Sequence, residues 1–160
     1  MEKLIQEQRE VLAELCERLN KRFVAARLSE DGAVLTVLLP QIRKGTDYFT
    51  DIAFFPQTEG MEGISYCSMR TEIADKKDLK TEEMLPFCGK LSAVNSELFF
   101  GGYGLELPEG ELPFRKLIFS VTVPMIEAIR GKRMTDTLDT TLTMIHGVLS
   151  GTLDEVDPVE

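Results

Sequence analysis

Leu91-Ser92-Ala93-Val94-Asn95-Ser96-Glu97-Leu98-Phe99-Phe100-Gly101-Gly102-Tyr103-Gly104-Leu105 passes from one periodicity into another. Upstream, Phe87, Leu91, Val94 and Leu98 fall at i, i+4, i+7 and i+11, one stripe of an α-helix. Downstream, Phe99, Gly101, Tyr103, Leu105 and Leu107 share one side of a two-residue repeat, which is a strand. Helix then strand, with glycines at the join, reverses the order of a dinucleotide-binding turn, where a G-x-G-x-x-G loop leaves a strand and opens a helix. The run Gly101-Gly102-Tyr103-Gly104 is therefore read as a bulged or closely approached strand rather than a phosphate cradle.

Working outward, Pro108-Glu109-Gly110 is a turn and Phe114 to Val123 a strand, with Leu117, Phe119, Val121 and Val123 on one side. A closing helix is expected from caps near Thr135 and Asp136, through Leu138, Leu142, Ile145 and Leu149, to a stop at Gly151. Toward the N-terminus, the Asp75-Lys76-Lys77-Asp78 connector precedes the second helix, which begins near Thr81 or at Pro86. Before it come strands at Ile64 to Ile73, Tyr48 to Phe55 and Ala33 to Leu39, the last closed by Pro40. Gln41 to Thr46 and Gln57 to Gly63 are loops between them, and Glu30-Asp31-Gly32 is a hairpin turn. Phe23 to Leu28 fits either a short strand or a prolonged first helix. That helix carries Leu4, Ile5, Val11, Leu12, Leu15 and Leu19 on its apolar stripe.

The order is α-β-β-β(-β)-α-β-β-α, and short turns make neighbouring strands antiparallel. The fold class is α+β: an antiparallel sheet of five or six strands with helices on one face. At 160 residues the chain suits one domain, assigned to 1–153, with 154–160 an acidic, flexible tail.

The element order and the stretch from Pro86 to Val123 resemble the YbjN-like family, which has the type III secretion chaperone-like fold. The resemblance rests on a helix ending in an asparagine and small residues, a glycine-containing strand, and a next strand opening with Phe114-Arg115-Lys116-Leu117. It implies a small homodimer that holds an extended segment of a client protein. It supplies no catalytic residues.

Composition narrows the chemistry. Lys plus Arg is 18 against 27 Asp plus Glu, a formal charge of −9. Nucleic-acid binders derive affinity from basic side chains that release counterions from phosphate. The nearest approaches to a basic patch are Arg43-Lys44 and Arg130-Gly131-Lys132-Arg133, and no basic stripe is interleaved with aromatics, so neither nucleic acid nor an anionic membrane is the expected partner. Cys16, Cys67 and Cys88 are scattered and odd in number, which reads as reduced thiols in the cytoplasm. The charged N-terminus lacks a signal-peptide pattern, and no apolar run reaches the ~20 residues that cross a bilayer. His146 is the single histidine and cannot make the histidine pair of a catalytic zinc site. Asp47, Asp51, Glu59 and Glu62 form no calcium loop and read as a solvated surface. No catalytic, metal or cofactor residue is assigned.

What remains is a surplus of aromatic side chains on the strands. A sheet with helices on one face leaves its other face to solvent, a partner or a loop. The expected reading is a non-enzymatic, protein-binding homodimer. Phe87, Leu91, Val94, Leu98, Phe99 and Phe100 are the candidate dimer contact, and Leu35, Val37, Phe49, Phe54 and Phe55 the candidate client surface. The alternative is a small-molecule-binding or thiol-dependent enzyme domain with a pocket near Cys88, Tyr103 and Arg115.

Overall fold

The computed structural model describes residues 2–56, 64–106, 115–126 and 129–159. Three helices, α1 (Glu2–Lys21), α2 (Thr81–Glu97) and α3 (Lys132–Val156), accompany six strands: β1 (Ala26–Leu28), β2 (Val34–Arg43), β3 (Thr46–Phe54), β4 (Ser65–Asp75), β5 (Gly102–Glu106) and β6 (Lys116–Met125). They form one sheet of order β1-β2-β3-β4-β6-β5, antiparallel throughout. The architecture is the α+β arrangement expected from the sequence, and among the described residues the sheet has six strands, within the five or six expected.

Each strand alternates as a half-buried strand must. Leu35, Val37 and Leu39 of β2, Tyr48 and Ile52 of β3, Cys67 and Met69 of β4, and Leu117, Phe119, Val121 and Val123 of β6 point into the core. The stripes of α1 (Val11, Leu12, Leu15, Leu19) and α3 (Leu138, Leu142, Ile145, Leu149) close over them in one cluster. The side chains of Thr50 and Thr71, a cross-strand pair on this buried face, satisfy each other at 2.7 Å. Helix α2 packs beside β5 and α3 through Leu91 and Val94. The opposite face of the sheet carries Thr36, Leu38, Phe49, Asp51, Ser68 and Arg70, and α1 and α3 do not reach it.

The structure decides two boundaries that the sequence left open, at residues 23–28 and at the start of the second helix, and moves others. Residues 23–28 are not a continuation of α1. The helix ends in a Schellman arrangement, with Val24 N–H donating to Leu19 O at 3.0 Å and Phe23 N–H to Asn20 O at 3.1 Å. Phe23 takes the left-handed conformation, φ 62°, and the chain leaves as β1. Strand β2 runs through Pro40 to Arg43, because β1 has already ended and no neighbour on that side needs the missing N–H. The expected loop at Gln41 to Thr46 is a tight hairpin in which Arg43 pairs with Thr46 and Gly45 sits at φ 78°. The second helix begins at Thr81 and carries Pro86 inside it.

The largest correction is at the C-terminus. Helix α3 starts at Lys132, capped by Gly131 rather than by Thr135 or Asp136, and passes through Gly151 to Val156. Leu153 and Val156 extend the buried stripe, so residues 154–157 belong to the packed structure and not to a tail. The loop at Gln57 to Gly63, with Glu59 and Glu62, the turn at 108–110 and the start of a strand at Phe114 lie outside the described residues.

Candidate docking face

The uncovered face of the sheet is built from cross-strand rows. Thr36, Asp51, Arg70, Ser120 and Gly102 lie in register across five strands. Thr36 Oγ1 donates to Asp51 Oδ1 at 2.6 Å, and Arg70 pairs with Glu106 and Glu72. Lys116 reaches Glu72 at 2.9 Å. The row nearer the β2–β3 turn sets Leu38 opposite Phe49. The polar half of this face is thus internally paired, and its apolar half lies toward β1.

There the sheet borders a groove of about 650 Å³. Leu28, Val34, Thr36, Leu38 and Phe49 line it together with Arg27. Phe49 is 49% exposed, and neither α1 nor α3 covers it. Alternation explains the placement: Tyr48 and Thr50 are buried, so Phe49 must point to the other side. A second cleft of about 280 Å³ opens where α1, β2 and α3 meet, over Leu19, Val24, Leu39 and Leu142. The Arg22–Asp139 ion pair, 2.6 Å, stands at its rim. His146 Nε2 meets Pro40 O there at 2.7 Å, which puts the imidazole proton on Nε2.

The structure separates the sequence candidates. Of the client set, Phe49 and Phe55 are exposed and Phe54 is half-buried. Leu35 and Val37 are at 0% and 1% exposure in the core, because odd-numbered residues of β2 face the helices. They cannot contact a client. Of the dimer set, Leu91 and Val94 are spent inside the chain, while Phe87, Leu98 and Phe100 are partly buried against the core. Lys76 Nζ lies 5.7 Å from the Phe87 ring centroid. Phe99 is 85% exposed, and its ring tilts toward Phe100 at 6.4 Å. Leu85, 83% exposed on α2, was not singled out by the sequence; it lies off the i, i+4 stripe, a signal that an apolar residue there faces outward.

The groups named for a catalytic pocket turn to different partners. Tyr103 gives its hydroxyl to Thr152 at 2.8 Å, and burial raises its pKa. Its ring meets Phe119 edge-on at 5.0 Å. Arg115 donates to the Leu79 carbonyl, and Cys88 is exposed on α2. Burial pushes the Cys67 thiol up to about 12. Among the described residues, no three His, Cys, Asp or Glu side chains gather in a way that could hold a metal ion. No helix among them is long and apolar enough to cross a membrane.

No family model matches the sequence. No curated protein matches it either. Among solved structures, the crystal structure of YbjN from E. coli is similar over 89% of this chain and 90% of its own, with 14% identity and a TM-score of 0.49.

Proposed function

We propose that the chain is a non-enzymatic, protein-binding domain of the cytoplasm that pairs as a homodimer and takes a polypeptide client on the uncovered sheet face. The groove beside Phe49 carries the reading: a concavity at the β1 side of the sheet in which Val34, Leu38 and the exposed Phe49 ring lie beside Arg27, Glu30 and, from α1, Asn20. Aromatic side chains at such positions are what protein interfaces concentrate. The charge of −9 fits a polypeptide partner better than a polyanion. For the homodimer, the candidate contacts are Leu85, exposed near the start of α2, and Phe99, exposed just past its end, two apolar side chains that the chain's own core leaves outside.

Sedimentation of the purified chain, with and without Phe99→Asp, tests the dimer: a wild-type dimer at micromolar concentration and a variant monomer are expected. The client surface is tested by comparing the proteins captured from cells by the wild-type chain and by a Leu38→Asp/Phe49→Asp variant that keeps its circular dichroism. Loss of a specific set supports the reading. An unchanged set removes the groove from it.

A further inference from the structure

We propose that Asn20 and Asn95 are edge guards, which keep the two outer strands of the sheet from pairing with a second copy of this chain. The proposal stands apart from the choice of client.

Strands β1 and β5 are the ends of the sheet. In an antiparallel ladder, alternate residues turn their N–H and C=O toward the neighbour and the others turn them outward. Leu38 N–H donates to Ala25 O and Ser29 N–H to Val34 O, both at 2.9 Å, so Ala26 and Leu28 face outward. Outward rows of this kind are a template for another chain.

At both edges a side-chain amide fills the place of the missing strand. Ala26 N–H donates to Asn20 Oδ1 at 3.2 Å, and Asn20 Nδ2 donates to Ala26 O at 3.0 Å. Tyr103 N–H donates to Asn95 Oδ1 at 2.7 Å, and Asn95 Nδ2 donates to Tyr103 O at 2.8 Å. A carboxamide has one acceptor and a donor pair, so it can satisfy both groups of one residue as a neighbouring peptide would.

The two guards are built alike. Each asparagine lies in the last turn of the helix before its strand, six residues ahead of Ala26 and eight ahead of Tyr103. Each intervening connection turns through one left-handed residue, Phe23 at φ 62° or Gly101 at φ 64°. A third outward point is closed differently. Beyond the end of β1, Pro40 has no N–H and its carbonyl is taken by His146. Strand addition by a partner would have to break these pairings, so each edge is guarded at one outward residue, Ala26 or Tyr103.

The test combines hydrogen exchange on the wild-type chain with sedimentation of Asn20→Ala, Asn95→Ala and the double variant. In the wild type, the Ala26 and Tyr103 amides should exchange at least ten-fold more slowly than that of Leu28, an outward residue with no partner among the described residues. In dilute variants that protection should vanish. At rising concentration each single variant should gain one association step over the wild type, and the double variant should form open-ended assemblies. Wild-type amides at Ala26 and Tyr103 that exchange as fast as Leu28 overturn the proposal, whether or not the variants fold. So do folded variants that keep the wild-type mass at every concentration.

Discussion

Arg43 and Asp157, 114 residues apart, are joined twice: Nη1 donates to Oδ2 at 3.1 Å and Nη2 to the main-chain carbonyl at 2.6 Å. Lys76 Nζ adds a bond to Oδ1 at 2.6 Å. One carboxylate thus ties the end of α3 to β2 and to the link before α2. The three side chains are mostly covered, at 16% to 23% exposure, so the pairs are screened less than surface ion pairs. Asp157→Ala is expected to cost about 1–3 kcal/mol, because Lys76 loses its carboxylate and Arg43 keeps only Asp154 and the main-chain carbonyl. Glu155→Ala, an exposed neighbour, should stay within about 0.5 kcal/mol. Urea unfolding of both variants checks the contrast.

Phe23 is an aromatic residue in a left-handed conformation with its side chain 99% exposed. In the chain by itself, nothing compensates the steric cost of that backbone state, about 1–2 kcal/mol for an L-residue. Phe23→Gly should therefore raise stability by about 1 kcal/mol, read as a higher melting temperature. A lower one would mean that the ring is held by something in solution.

Gly101 shares the φ of Phe23 but not its freedom. A Cβ there would stand 2.6 Å from Phe119 Cζ and 2.8 Å from Val121 Cγ2. Gly45, at φ 78°, has nothing within 4 Å of the same added atom. Gly45→Ala should cost about 1 kcal/mol of backbone strain. Gly101→Ala should cost about 1–3 kcal/mol more, since the strand must also move off β6. Parallel thermal melts decide it.

The buried Cys67 thiol makes stability fall in alkali. An unfolded thiol releases its proton near 9.0, whereas the folded one holds it until about 12. Between these values the folded state binds more protons, so stability drops as pH rises, by at most about 1.4 kcal/mol per pH unit for one group. Tyr103, raised chiefly by burial, acts in the same direction. Cys67→Ala should flatten the slope between pH 9 and 11. In the same protein at pH 8, Ellman's reagent should label exposed Cys88 at the rate of a simple thiol and reach Cys67 only after unfolding. A Cys88 rate ten-fold above that, abolished by Cys88→Ser, would favour the thiol-enzyme reading.

The sheet and its one-sided cover are legible in the sequence because they rest on local periodicities. The stripe Leu138, Leu142, Ile145, Leu149 and the alternation Leu117, Phe119, Val121, Val123 each state which face is buried. The fate of residues 154–157 was not legible. An acidic run near a chain end looks solvated until Arg43 and Lys76, distant in sequence, are brought to it. Leu35 and Val37 fail as client contacts for a related reason: alternation says that Phe49 and Tyr48 part company, but not which side α1 and α3 will cover. Asn20 and Asn95 read as ordinary helix-end residues, since their partners depend on where the next strand returns.

Photo-crosslinking from the uncovered face tests the central claim most directly. Benzoylphenylalanine at position 49, activated in the cell, should give discrete adducts with a polypeptide, and the same probe at Glu10 on the solvent side of α1 should not. Equal labelling at the two positions, or none at 49, would contradict a client-binding role for this face.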